Sequence, residues 1–186
     1  HYTASKYAVC FMGALIDWIS QPSTAGGLLL VAMPGVGDVG KLAIDAVNSE
    51  LDAEPVARVL HPALPPLAKL DDDGLLVPPH ILLSRVQIDG RDVFTLTGDA
   101  QPMTPEGQFE MATAVLELFE GGEALVLAGM SAQADRKDIF TITSSSSYRI
   151  ELESMGIDVR RDEPAAGVIG MAALITALGP VKQVKT

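Results

Sequence analysis

The sequence predicts a three-layer α/β/α domain with a mostly parallel central sheet and one added antiparallel hairpin. Three observations carry that reading. An apolar run over residues 28–33 breaks at Pro34 into Gly35, Gly37 and Gly40, then re-emerges with helical periodicity. A second strand, helix and strand follow between Val93 and Ala128. Between these units Asp89-Gly90 separates two apolar segments, a strong hairpin signal because both residues accept positive φ.

Composition bounds the rest. With 186 residues, 48% of them hydrophobic, the chain can bury one sizeable core and is excluded from the disordered class. Thirteen Lys and Arg against 24 Asp and Glu give a net charge of -11 without a basic cluster, which disfavours nucleic acid and anionic membranes as partners. The single Cys10 and the scattered His1, His61 and His80 show no ligand spacing. No metal and no cofactor are expected, and the cytoplasm is the default compartment.

In chain order, residues 1–27 read as a helical extension and 28–186 as the α/β domain. Residues 8–16 are almost wholly apolar but too short to span a bilayer, and Leu15, Ile16 and Ile19 fall at helical spacing before Pro22 and Gly26-Gly27. Tyr2 and Lys6 match the Tyr-x-x-x-Lys spacing of short-chain dehydrogenases, but no nucleotide-binding unit precedes them, so the match is read as chance. After the strand at residues 28–33, Asp38 is expected to cap a helix. That helix should turn Val39, Leu42, Ala43, Ala46 and Val47 to the sheet, with Asp45, Asn48 and Glu50 opposite. A short strand at 56–60 leads into the proline-stiffened track from His61 to Leu67. Strands at 75–77, 81–88 and 93–97 follow. Thr104 and Pro105 mark the start of a helix buried through Phe109, Ala112, Leu116 and Phe119, which Gly121-Gly122 ends before a strand at 124–128. A strand at 139–142, a serine-capped helix at 148–155 and a small-residue helix at 167–178 complete the reading.

The glycine turn is the main chemical question. Gly35-x-Gly37-x-x-Gly40 has the dinucleotide spacing, but the next strand runs into Leu60, His61 and Pro62 where an acidic ribose ligand should stand. The same residues approach a phosphate-binding P-loop, with Gly40-Lys41 followed by Leu42 in place of the Ser or Thr that would ligate magnesium. Asp38 adds a negative charge inside the loop. A packing turn is therefore the leading reading, and a weak anion or nucleoside-type site at Gly35, Gly37, Gly40 and Lys41 is the alternative. Asp99 and Gln101 follow a strand where open α/β sheets place ligands and are the candidates to complete such a site. No paired carboxylates, Ser-His-Asp set or Cys-His pair has a recognisable spacing, so no catalytic residue is assigned.

Residues 33–43, Pro65-Pro66, residues 96–102 and residues 167–171, in this order, resemble the proteasome assembly chaperone 2 family, represented in archaea and bacteria by members often labelled uncharacterised or ATP-grasp-like. The resemblance implies an α/β fold broadly like nucleoside phosphorylases and assembly as a homo-oligomer. It also implies a chaperone-like role with proteasome subunits as partners. Some such relatives dock through a tail with a tyrosine near its end, whereas Lys182-Gln183-Val184-Lys185-Thr186 lacks one. The interface expected from the residues is instead the track of His61, Leu64, Pro65, Pro66 and Leu67. The competing class is a small-molecule-binding protein or enzyme using the glycine turn with Asp99 and Gln101.

Overall fold

The computed structural model describes residues 8–11, 13–131, 135, 138–162 and 168–186. Among the described residues the strands are β1 (Ala8–Phe11), β2 (Ala14–Trp18), β3 (Leu28–Val31), β4 (Glu54–Leu60), β5 (Lys69–Leu70), β6 (Leu76–Val77), β7 (Ile81–Ile88), β8 (Arg91–Thr97) and β9 (Glu123–Val126). The helices are α1 (Val39–Glu50), α2 (Pro105–Leu118), α3 (Ser146–Ser154) and α4 (Met171–Leu178). Seven strands form one sheet in the order β1-β2-β4-β7-β8-β3-β9, and β5 and β6 pair only with each other.

The α/β class holds, with a particular mixture of pairings. Only β3 with β8 and β3 with β9 pair in parallel, and the other four junctions are antiparallel. Followed across the sheet, β1, β4, β8, β3 and β9 run in one direction while β2 and β7 run in the other. The hairpin at Asp89-Gly90 forms as expected, with φ values of 51° and 74°, and it inserts β7 between strands of common direction.

One pair of neighbouring residues shows how the helices are distributed. Phe94 meets the Phe119 ring edge-on at 5.3 Å, at the end of α2, whereas the Thr95 hydroxyl donates to the Asn48 side-chain oxygen on α1 at 2.7 Å. Successive strand residues point to opposite faces, so α2 and α1 cover opposite sides of the sheet. The main core lies on the α2 side, where Leu29, Val31, Phe94 and Leu96 meet Met111, Val115 and Phe119, with Met171 and Ile175 of α4 in the same cluster.

Several local expectations are met in detail. Thr104 caps α2 by accepting the Gly107 N–H at 3.1 Å. Ser145 caps α3 by accepting the Tyr148 N–H at 3.3 Å. The cap expected of Asp38 is not made: Asp38 stands at the N-cap position of α1, but its carboxylate accepts the Gly35 N–H at 3.1 Å and closes a 3-10 turn over Val36–Asp38 instead.

Other expectations are corrected. The helix expected in the N-terminal segment is the β1-β2 hairpin, turning at Gly13 with φ 87°. Fully buried Ala14 and Ile16 alternate with partly exposed Leu15 and Asp17, so a period of two lies inside the apolar run. Tyr2, Lys6 and Gly167 lie outside the described residues. The strand expected at 139–142 reduces to a single parallel bridge between Thr141 and Val159.

The expected buried face of α1 is rotated, and that of α2 holds at Ala112, Leu116 and Phe119 but is wider than expected and leaves Phe109 out. In α1 the sheet-facing residues are Gly40 and Ile44, while Val39 and Leu42 are 60% and 62% exposed and Ala43 and Ala46 are exposed beside them. In α2 Met111, Ala114 and Val115 join Ala112 and Leu116 in the core, whereas Phe109 is 42% exposed. Truncating Phe94 to Ala should therefore cost about 3–5 kcal/mol, and Phe109→Ala about 1 kcal/mol or less. Urea unfolding of the two variants measures the difference.

Candidate functional site

The glycine turn and the Asp99 turn come together at one end of the sheet, beyond the C-terminal ends of β3 and β8. Lys41 Nζ lies 2.6 Å from an Asp45 carboxylate oxygen, four residues along α1, and 4.0 Å from Asp99. Lys69, at the start of β5, reaches the other Asp99 oxygen at 2.5 Å. The hydrogen bond from Lys69 holds the Asp99 carboxyl below the usual carboxylate range; partial burial opposes this, and the charges of Lys69, Lys41 and His80 reinforce it.

This arrangement is charge-balanced. Two lysines face Asp45 and Asp99, while Asp38 folds back on the loop's own amide at Gly35. A helix N-terminus with free N–H groups and an unpaired lysine attracts phosphate. Here Lys41 is paired with Asp45 and supplies an anchor for the β5 segment through Asp99, while the Asp38 carboxylate bonds Gly35 and not the α1 N-terminus.

The three glycines of the motif have distinct roles. Gly37 takes the left-handed region at φ 63°, which L side chains adopt reluctantly. A Cβ on Gly40 would stand 2.2 Å from the Leu127 carbonyl oxygen, so the first turn of α1 touches the chain leaving β9 backbone to backbone. Gly129 completes that contact: a Cβ there would lie 2.3 Å from the Val36 oxygen. At Gly35 the nearest atom to an added Cβ is 3.8 Å away. Close packing accounts for Gly40 and Gly129.

Gln101 is also engaged within the fold. Its side-chain amide donates to the Pro34 carbonyl at 2.8 Å and accepts the Met171 N–H at 3.0 Å. One side chain thereby ties the exit of β3 to the first residue of α4. Of the six residues expected to hold a ligand, Gly35, Gly37, Gly40, Lys41, Asp99 and Gln101 do share one end of the sheet. Their interactions join α1, β5, β9 and α4 to one another. Two surface hollows lie elsewhere, one beside Leu51, Glu54 and Arg85 and one beside Gly27, Gly122 and Lys185.

The expected interface track divides into an inner and an outer half. His61 is internal: its side chain is 8% exposed, and Nε2 lies 2.6 Å from Glu110 on α2. The Ala63 N–H donates to Nδ1 at 3.0 Å, which assigns the ring proton to Nε2. Leu64 is buried in the main core. Pro66 and Leu67 are exposed and Pro65 partly so, and the exposed surface continues into β5 and β6 through Leu70, Leu75 and Leu76. The strand expected at 75–77 forms as β6 after the turn at Asp71-Asp72-Asp73-Gly74, while its partner β5, only two residues long, carries no periodic signal of its own.

Among the described residues no helix is long and apolar enough to cross a membrane. Similarity to known proteins points to one family. A curated relative, an uncharacterised protein of Methanocaldococcus jannaschii, is 24% identical over 153 residues, covering 80% of this chain. The chain spans 58% of that relative's length. The crystal structure of Pyrococcus furiosus PbaB, an archaeal proteasome activator, matches with a TM-score of 0.76 at 19% identity, over 94% of this chain and 78% of the other. The monoclinic form of Pyrococcus furiosus PbaA, an archaeal homolog of proteasome-assembly chaperone, matches with a TM-score of 0.68 at 22% identity, over 91% and 69% of the two chains.

Two measurements test the site as described. Gly40→Ala and Gly129→Ala should each destabilise the protein by about 1–3 kcal/mol through overpacking, and Gly35→Ala by less, as read from thermal unfolding. The Lys69–Asp99 tether should be fully present above pH about 4 and be lost as pH falls through the lowered Asp99 value. Because the pair is exposed, global stability should move by under about 1 kcal/mol. Methyl NMR of Leu70 and Leu76 should report the release, and Asp99→Asn should reproduce it at neutral pH. The family's description matches residues 29–186, and the chain belongs to the PAC2 family.

Proposed function

We propose that this chain is a protein-interaction protein of the assembly-chaperone type, acting in the cytoplasm as a homo-oligomer with proteasome subunits as its partners. Membership of the PAC2 family and likeness in fold to PbaB and PbaA support the reading. The observation that carries it is a contrast in how the surface is used. The charged side chains of the turns that resemble a ligand site pair with one another, whereas aliphatic surface is left open on α1, at Pro65, Pro66 and Leu67, and on the β5-β6 hairpin.

The α1 surface has the chemistry of a contact between identical chains. Val39, Leu42, Ala43 and Ala46 follow helical spacing and carry no charge, so two negatively charged copies can meet there without opposing carboxylates inside the contact. Light scattering after size exclusion should give a whole multiple of the chain mass, and Leu42→Glu should reduce it while leaving the circular dichroism unchanged. Immobilised protein should retain purified proteasome α subunits. A single-chain mass at every concentration overturns the homo-oligomer, and failure to retain the subunits overturns the proteasomal partner.

A further inference from the structure

Between β4 and β7 the chain leaves the body of the domain. Leu64 is the last buried side chain before Ile81, and residues 65–80 bury none. Within this excursion β5 and β6 pair with each other, Lys69 opposite Val77 and Leu70 opposite Leu76. Lys69 points to Asp99 on the body. Alternation along the strand then turns the Leu70–Leu76 pair away from it, and these two residues are 68% and 70% exposed. Leu67 and Leu75 are exposed to a similar degree.

Polar contacts hold this shape. Asp71 accepts the N–H groups of Asp73 at 3.1 Å and Leu75 at 2.8 Å, Gly74 takes φ 75°, and the Lys69–Asp99 pair fixes one strand. An isolated two-stranded hairpin is marginal in water, and one that presents its leucines outward gains nothing from its own core. The fold has organised the segment while leaving its apolar pair to be covered from outside.

Charge identifies what can cover it. Asp71, Asp72 and Asp73 stand at the tip, and Asp72 and Asp73 are exposed. A partner surface around the leucines must therefore be basic at its rim. A second copy is poorly supplied: the chain carries a net charge of -11, and eight of the ten described Lys and Arg side chains already pair with its own carboxylates. We infer that the β5-β6 hairpin docks, with Leu70 and Leu76 leading, into an apolar groove rimmed by Lys or Arg on a different protein. This rests on the reading of the chain as an interaction protein, and not on the partner being a proteasome subunit.

Site-specific photocrosslinking in cells of the source organism tests it with the full chain. Leu76 is replaced by photoreactive p-benzoylphenylalanine, with the same replacement at exposed Ile150 on α3 as the reference. The expected result is an adduct at position 76, absent at 150, with a different protein whose crosslinked peptide is apolar and flanked by Lys or Arg. Asp72→Lys with Asp73→Lys should lower its yield about tenfold. An adduct with a second copy overturns the inference, as does a yield unaffected by charge reversal, or no adduct above the reference. A basic-rimmed adduct that is not a proteasome subunit upholds the docking mode and overturns the proteasomal partner alone.

Discussion

No side chain fits between the first turn of α1 and the chain leaving β9. Cβ atoms on Gly40 and Gly129 would stand 2.2 and 2.3 Å from carbonyl oxygens across that junction, distances at which backbone would have to move. The contact sets the depth at which α1 sits on the sheet, and so places Lys41 at Asp99 and Asn48 at Thr95. The same glycine spacing that elsewhere admits a pyrophosphate here admits a neighbouring strand's exit. Its resemblance to a nucleotide loop follows from a shared need for backbone without side chains.

Helix α1 is apolar on two sides, and that explains why periodicity misplaces its buried face. The inward side is made by Gly40 and Ile44, and the outward side by Val39, Leu42, Ala43 and Ala46. Periodicity alone assigns the richer stripe to the core, because a glycine contributes nothing to an apolar pattern even where it packs most closely. In α2 the same ambiguity arises from abundance: apolar residues surround the helix and most are buried, so Phe109 could be placed inside only by counting.

Much of the architecture was nonetheless legible in the residues. The strand at β3, the Asp89-Gly90 turn and the caps at Thr104 and Ser145 were readable because local chemistry decides them. The β1-β2 hairpin was not, since a run of mostly apolar residues from 8 to 16 conceals its alternation and the pairing partner of β2 is β4, some 40 residues on. The glycine turn and the Asp99 turn lie at one end of the sheet. Their engagement with one another was invisible, because Lys69 opposite Asp99 and Gln101 opposite Met171 are matters of tertiary distance. His61 shows the limit from the other side: a histidine beside prolines reads as surface, and only the Glu110 carboxylate on α2 makes it an interior group.

Gln101 joins points 67 and 70 residues away along the chain, Pro34 before it and Met171 after it. Each bond closes a long loop of its own, and closure of that kind carries an entropic cost. With both bonds made, the amide holds β3's exit, the segment after β8 and the start of α4 in register with one another. It needs both of its functional ends to do so: a carboxylate could accept from Met171 but would face the Pro34 carbonyl with no proton to offer.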